Sequence, residues 1–369
     1  MNKKHSKHTN LAKKQNENFA PNELAILGTN CSTIALLVRN ISDKITKYKL
    51  AYFDASHTKS VVKNSLSEYL LHSEGNLQIS TSSYLNTYEQ RLQFYPFDLV
   101  FINGNHYQGA KQILILDPKK EASIKKRLTQ LNNIQFVIKL NNNTTYFSCL
   151  IEKFPQIKKI KTYTLDQIDE ITAHIQYIIQ QHIASVKGLV LMGGKSTRMH
   201  TDKAYLSYFG KPQKIYAKEL LENCALETFY SVEKPSKKTC EIHDVFLNLG
   251  PLGGICSAFQ KNPNTAWLVL AVDLPFVDRQ LIELLLKRRN PSKIATAVKG
   301  KNKEFPEPLL CIYEPKAYGK LLQYLAQGYA CPRKMLINTT VEIVEVADNY
   351  IQNINTEKEY KEILKKGTL

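Results

Sequence analysis

The chain has 369 residues, 43% hydrophobic and 22% charged, a balance that fits globular material and excludes a fibrous or wholly disordered polypeptide. Its formal charge of +17 is evenly spread, with 23 Lys+Arg against 14 Asp+Glu in residues 1–185 and 27 against 19 in the remainder. That spread argues against a single basic tail and for a general attraction to phosphorylated small molecules. No stretch alternates arginines with aromatics as a stacking groove requires, so no nucleic-acid partner is expected.

At this length two domains are expected. Residues 1–18 are polar and lysine-rich and read as a disordered basic arm; no apolar stretch follows the lysines, so a secretory signal is not supported. The longest apolar runs, such as Trp267 to Val272, fall far short of the roughly 18 residues a membrane span needs. The seven cysteines are scattered, without a C-x-x-C pair or a histidine at metal spacing, and read as reduced thiols of a cytoplasmic protein.

In residues 19–185, short apolar runs alternate with helix-length stretches: LAILG (24–28), KLAYFDA (49–55), FDLVFING (97–104) and KQILILD (111–117). Such a pattern predicts a largely parallel sheet covered on both faces. Helical spacing in LDQIDEITAHIQYIIQQHI (165–183) closes this unit. The run 24–38, LAILGTNCSTIALLV, has the outline of strand, phosphate loop and helix. It keeps Gly28, Ser32 and Thr33 but lacks the second glycine and the lysine of G-x-x-x-x-G-K-[ST], so nucleotide hydrolysis is not expected there.

The alternation restarts in residues 186–369 with KGLVLMGG, then FYSVEK (229–234), TAWLVLAVD (265–273), KIATAV (293–298), PLLCIY (308–313) and VEIVEV (341–346). The expected architecture is therefore two tandem three-layer α/β/α domains. Chemistry concentrates at LVLMGGKSTRMHTDKA (189–204), where a strand runs into Gly193 and Gly194 and then Lys195, Ser196, Arg198, Asp202 and Lys203. A glycine pair alone is most often a tight turn. Glycines and cations together, after the first strand of an α/β sheet, are instead the makings of a phosphate cradle. Further on, Asp273 ends an apolar strand, where a carboxylate can hold Mg²⁺ or merely cap the next helix.

The first of these segments resembles the signature L-x-G-G-x-S-x-R-M-G-x-D-K of molybdenum cofactor guanylyltransferases, matching at Leu191, Gly193, Gly194, Ser196, Arg198, Met199, Asp202 and Lys203 and departing at His200. GPLGGI (250–255) with Asp244 upstream, Asp273 in VDLP, and NINTEKEY (353–360) are similar to that family's later motifs and follow in its order. The resemblance implies a Rossmann-like nucleotidyltransferase fold (nucleotide-diphospho-sugar transferase-like) and Mg²⁺-dependent transfer of GMP from GTP to molybdopterin. It further implies that Arg198, Lys203 and Asp273 are catalytic. Leu191, Gly193, Gly194, Lys195, Ser196, Asp244 and Gly250 would join Lys203 and Asp273 at the nucleotide, Asp273 would hold the metal, and Asn353 and Asn355 would lie on the pterin side. The implied partners are GTP, molybdopterin and other proteins or chaperones of molybdenum cofactor synthesis.

Residues 19–185 weakly resemble the GTP-binding adaptor of molybdopterin guanine dinucleotide synthesis, at the first strand and loop, at YKLAYFDASH (48–57) and at FDLVFINGNHY (97–107). Asn103 stands where that family has an acid, which implies a degenerate adaptor domain; Asp54, His57 and His106 are its ligand candidates, though a histidine at a strand end is more often structural. Two alternatives stay open for the chain: a relative using CTP or a sugar phosphate, and a non-catalytic molybdopterin carrier. The glycine pair at 193–194 leans towards guanine, and Arg198, Lys203 and Asp273 together lean against a pure carrier.

Overall fold

The computed structural model describes residues 18–56, 66–81, 86–192, 203–208, 210–234, 238–354 and 356–365. The chain forms two compact units divided between His182 and Ile183.

The first unit runs β1 (Glu23–Leu27), α1 (Cys31–Lys44), β2 (Leu50–Phe53), β3 (Glu68–Leu71), β4 (Leu77–Ser80), α2 (Thr87–Phe94), β5 (Leu99–Asn103) and β6 (Gln112–Leu116). It continues with α3 (Glu121–Lys126), β7 (Ile134–Lys139), α4 (Ser148–Lys153), β8 (Thr162–Thr164) and α5 (Ile168–Gln180). Six strands form a parallel sheet in the order β2-β5-β1-β6-β7-β8. The continuous apolar runs of β1, β5 and β6 follow from burial on both faces. In β6, Ile113 and Ile115 pack towards Ile34, Ile41, Ile171 and Ile175, while Leu114 and Leu116 pack towards Ile124 and Leu150. β3 and β4 pair as a separate antiparallel hairpin that the sequence patterning did not suggest; its residues are largely exposed.

The second unit runs β9 (Val186–Leu191), α6 (Gln213–Glu222), β10 (Thr228–Val232), β11 (Glu241–His243), α7 (Pro251–Lys261), β12 (Ala266–Ala271), α8 (Arg279–Lys287) and β13 (Ala295–Gly300). Then come β14 (Glu307–Tyr313), α9 (Pro315–Ala326), α10 (Pro332–Ile337), β15 (Val341–Val346) and α11 (Glu357–Lys365). Seven strands form one sheet in the order β11-β10-β9-β12-β14-β13-β15. Alternation again serves two faces: Val190, Leu268 and Leu270 enter the core with α6 and α8, and Leu189, Trp267 and Val269 the core with α7 and α9. Both units thus have the three-layer α/β form expected from the alternating pattern.

β14 is the exception to the parallel run, being antiparallel to both β12 and β13. Its reversal matters for the site, because it brings the start of β14 alongside the carboxyl end of β12.

Candidate functional site

The carboxyl ends of β9 and β12 are locked together. The ladder pairs Leu191 with Ala271, and Val272 N–H continues it by donating to Leu191 O at 3.2 Å. In open α/β sheets this edge is where ligands bind. Leu191 itself is buried, its side chain packed within the core, so only its backbone faces the edge. The loop that follows carries Gly193, Gly194, Lys195, Ser196, Arg198, Met199, His200 and Asp202, which lie outside the described residues.

Lys203 re-enters in a one-turn 3-10 helix, Lys203–Tyr205, anchored by the buried Ala204. From there Leu206 and Tyr208 pack with Ile354, Phe276 and Tyr360. The Tyr360 hydroxyl donates to Ser207 O at 3.0 Å, and the Tyr208 and Tyr360 rings meet edge to face at 5.1 Å. The segment after β9, the segment after β12 and the carboxy-terminal helix are therefore held around one spot.

Asp273 occupies that spot. Ile354 N–H donates to its backbone oxygen at 3.2 Å, which sets Asn353 beside it. Asp273 Oδ1 and Asn353 Oδ1 are each buried without a hydrogen-bond partner. Burial pushes the Asp273 carboxyl above the usual carboxylate range, and the nearby Lys203 ammonium works against that rise. A hard carboxylate oxygen, desolvated and unsatisfied as Asp273 Oδ1 is, fits a hard divalent cation that takes its remaining ligands from water and phosphate. No group of three or more His, Cys, Asp or Glu able to hold a metal occurs among the described residues.

The antiparallel register of β12 and β14 pairs Leu270 with Leu310; carried past the strand, it brings Asp273 opposite Glu307. Glu307 is 6% exposed. Its carboxylate accepts from Leu309 N–H at 3.0 Å and from Arg333 Nη2 at 3.2 Å. Burial raises its pKa, the Leu309 N–H and Arg333 oppose the rise, and the Asp273 charge adds to it. Arg333 Nε is buried without a partner, so this guanidinium keeps a donor free. Motif reading missed Glu307. The available signal was an acid opening the apolar run EPLLCIY, but its meaning depends on a strand direction that patterning does not give.

Asp244 and Gly250 lie on the other flank, after β11 and before α7. Asp244 Oδ1 accepts from the Ser231 hydroxyl at 2.7 Å. Burial raises its pKa while Ser231 and His243 draw it down. Gly250 caps α7 at φ 55°, a left-handed conformation that a side chain would strain, with Pro251 opening the helix. At Gly254 an added Cβ would stand 2.4 Å from Ser231 Oγ, so the glycine seats α7 directly on the strand that holds Asp244. Of the predicted residues, Lys203, Asp273 and Asn353 come together, Asp244 and Gly250 flank the same strand edge, and Asn355 lies outside the described residues.

Residues 188–343 match the family model described as the MobA-like NTP transferase domain. A "Molybdenum cofactor biosynthesis bifunctional protein" of Synechocystis sp. is 31% identical over 183 residues, covering 48% of this chain and 53% of that protein. A "Molybdenum cofactor guanylyltransferase" of Xanthomonas euvesicatoria is 37% identical over 101 residues, covering 27% of this chain and 52% of that protein. The chain thus spans about half the length of both relatives. Among solved structures, molybdopterin-guanine dinucleotide biosynthesis protein A from Archaeoglobus fulgidus aligns with a TM-score of 0.42 at 24% identity, over 49% of this chain and 98% of its own. With the signature strand, the Asp273 edge and the family match all falling on one segment, residues 188–343 of this chain are a MobA-like NTP transferase domain.

Proposed function

We propose that the second unit transfers GMP from GTP to the terminal phosphate of molybdopterin, with release of pyrophosphate. The observation that carries this reading is the buried, unpartnered oxygen of Asp273, with the Lys203 ammonium nearby, in a domain whose relatives include proteins named molybdenum cofactor guanylyltransferase. Transfer at a phosphorus needs alignment and charge neutralisation more than covalent chemistry from the protein. Mg²⁺, when bound at Asp273, supplies neutralisation of the triphosphate. Lys203 places a fixed positive charge where negative charge grows at the α-phosphate, and low local polarity strengthens it. Gly193, Gly194, Lys195, Ser196 and Arg198 hold the β- and γ-phosphates through backbone N–H groups and cations. Asp244 and Gly250 serve the base and ribose, and Asn353 and Asn355 the pterin. The attacking phosphate is already ionised, so no general base is needed.

The first unit is a degenerate relative of the adaptor, in keeping with the word "bifunctional" in the Synechocystis relative's name. Its partners are other proteins of molybdenum cofactor synthesis, in the cytoplasm. Among the described residues no helix is long and apolar enough to cross a membrane.

The test incubates the full chain with molybdopterin, Mg²⁺ and either GTP or CTP, and measures pyrophosphate and dinucleotide. Product with GTP that vanishes in Asp273→Asn is the expected result. Turnover with CTP alone overturns the guanine assignment, and none with either nucleotide leaves a carrier.

A further inference from the structure

The first unit holds an arrangement that the transferase reading does not use. Cys31 is the first residue of α1, and its Sγ lies 3.3 Å from His106 Nε2. Asp54 Oδ1 stands 3.9 Å from the same imidazole nitrogen, and the Tyr52 hydroxyl donates to Asp54 Oδ2 at 2.7 Å. These groups come from α1, from the end of β2 and from the loop after β5, so they meet at the carboxyl edge of the parallel sheet.

The approach of His106 to Cys31 is held from several sides. Asn105 Nδ2 donates to Thr29 O at 2.8 Å, Arg127 Nη2 donates to Asn105 O at 2.9 Å, and Gly104 N–H donates to Ile26 O at 2.8 Å. An added Cβ at Gly104 would stand 2.9 Å from Leu27 Cβ, so glycine lets the loop lie flat on β1. An imidazole fixed this way is preorganised towards the thiol.

An independent sign that this edge receives a molecule is Asn103. It is fully buried, it faces Tyr52 and Asp54, and its Nδ2 has no hydrogen-bond partner of good geometry. Leaving such a donor unmet costs about 1–3 kcal/mol. A bound acceptor group would remove that cost.

We propose that Cys31 and His106 form a reactive thiol–imidazole pair that exchanges with small-molecule disulfides. The thiolate is the attacking form in thiol–disulfide exchange, and His106 Nε2, 3.3 Å from Cys31 Sγ, is placed to take the thiol proton. Cys31 passes its proton to His106 Nε2, and the thiolate attacks one sulfur of the incoming disulfide. The Cys31 mixed disulfide forms as the original S–S bond breaks, and the departing thiolate takes the proton back from His106. No other oxidant or reductant is needed. Cys256 and Cys311 are buried, and Cys331 is exposed.

The test treats the full native chain with 4,4′-dithiodipyridine and follows each cysteine by mass spectrometry. Cys31 is expected to react at least about tenfold faster than exposed Cys331, and His106→Asn to lower the Cys31 rate about tenfold without changing Cys331. In Cys31→Ser the fast phase disappears, and slow modification of Cys149, packed against the core that holds Ile124 and Leu150, reports that the first unit keeps its fold. Reaction of Cys31 no faster than Cys331, or an unchanged Cys31 rate in a folded His106→Asn variant, overturns the proposal.

Discussion

Each unit presents carboxylates beside the ends of its strands, and Asp273 of the second lives in conditions opposite to those of Glu23 and Asp117 in the first. In the first, they are taken up by the protein. Glu23 accepts from Asn18, Phe19, Ala20 and Ala110 N–H groups, and Asp117 from the Thr29 hydroxyl and Lys119 N–H. In the second, Asp273 keeps a buried oxygen without a partner, and burial raises its pKa. A satisfied buried carboxylate holds loops together. An unsatisfied one costs stability and points to something the protein binds.

The largest expected effect therefore belongs to Asp273. Asp273→Asn should lower turnover by about three orders of magnitude, the scale of a lost electrostatic contact in a transition state. The same change removes a charge whose burial is unfavourable. Because the folded pKa is raised, the ionised form weakens the fold as pH climbs through that pKa, so the variant should be more heat-stable than wild type at neutral pH without ligand. Mg²⁺ with GTP should reverse the ranking by stabilising wild type alone. A melting series with and without Mg²⁺ and GTP measures both. A less stable Asn variant would show that Asp273 serves the fold instead.

Next is Glu23, whose two oxygens serve four backbone donors while the residue is wholly buried. Glutamine keeps the shape but turns one acceptor into a donor facing N–H groups. Glu23→Gln should cost about 2–4 kcal/mol, read from denaturant unfolding of the first unit, while GMP transfer by the second is unchanged. A loss below about 1 kcal/mol would mean that the carboxylate's charge contributes little beyond its shape.

Asp273 and Glu307 mark what the sequence makes legible. Runs rich in Val, Ile and Leu disclosed the buried strands, since strands covered on both faces need no polar alternation. Asp273 was legible because an apolar strand, an acid and a proline stand in a row. Glu307 was not: the reversal of β14 that puts it opposite Asp273 depends on pairing between segments far apart in the chain. The exposed β3–β4 hairpin was hidden for another reason, since neither face is buried strongly enough to impose a pattern. The Cys31–His106 pair joins positions 75 residues apart and leaves no local mark.

Glu307 tests how far the unsatisfied character extends. Glu307→Gln removes one of two neighbouring buried charges and weakens the hold on Arg333, leaving Asp273 in place. If Arg333 presents its free Nε to the substrate, the Michaelis constant for one substrate should rise about tenfold with little change in turnover number, the mark of lost ground-state binding. A fall in turnover number with the Michaelis constant unchanged would place Glu307 among the groups acting in the transition state.

The smallest effect is expected at Asp54, where satisfaction is only partial. Partial burial alone would raise its pKa, but the Tyr52 hydroxyl, the Asn103 amide, Ala55 N–H and His106 together hold it below the usual range. A depressed folded pKa means that the ionised group stabilises the fold above its unfolded pKa, about 4, and that this stabilisation fades as pH falls through the folded value. With its side chain 28% exposed, water screens much of the effect, and less than about 1 kcal/mol is expected. Asp54→Asn should therefore lower stability slightly at neutral pH and converge with wild type in acid. Parallel curves for the two proteins down to acid pH would show that the carboxylate's charge is already neutralised by solvent, and that Tyr52 needs only a neutral acceptor to hold this edge of the sheet.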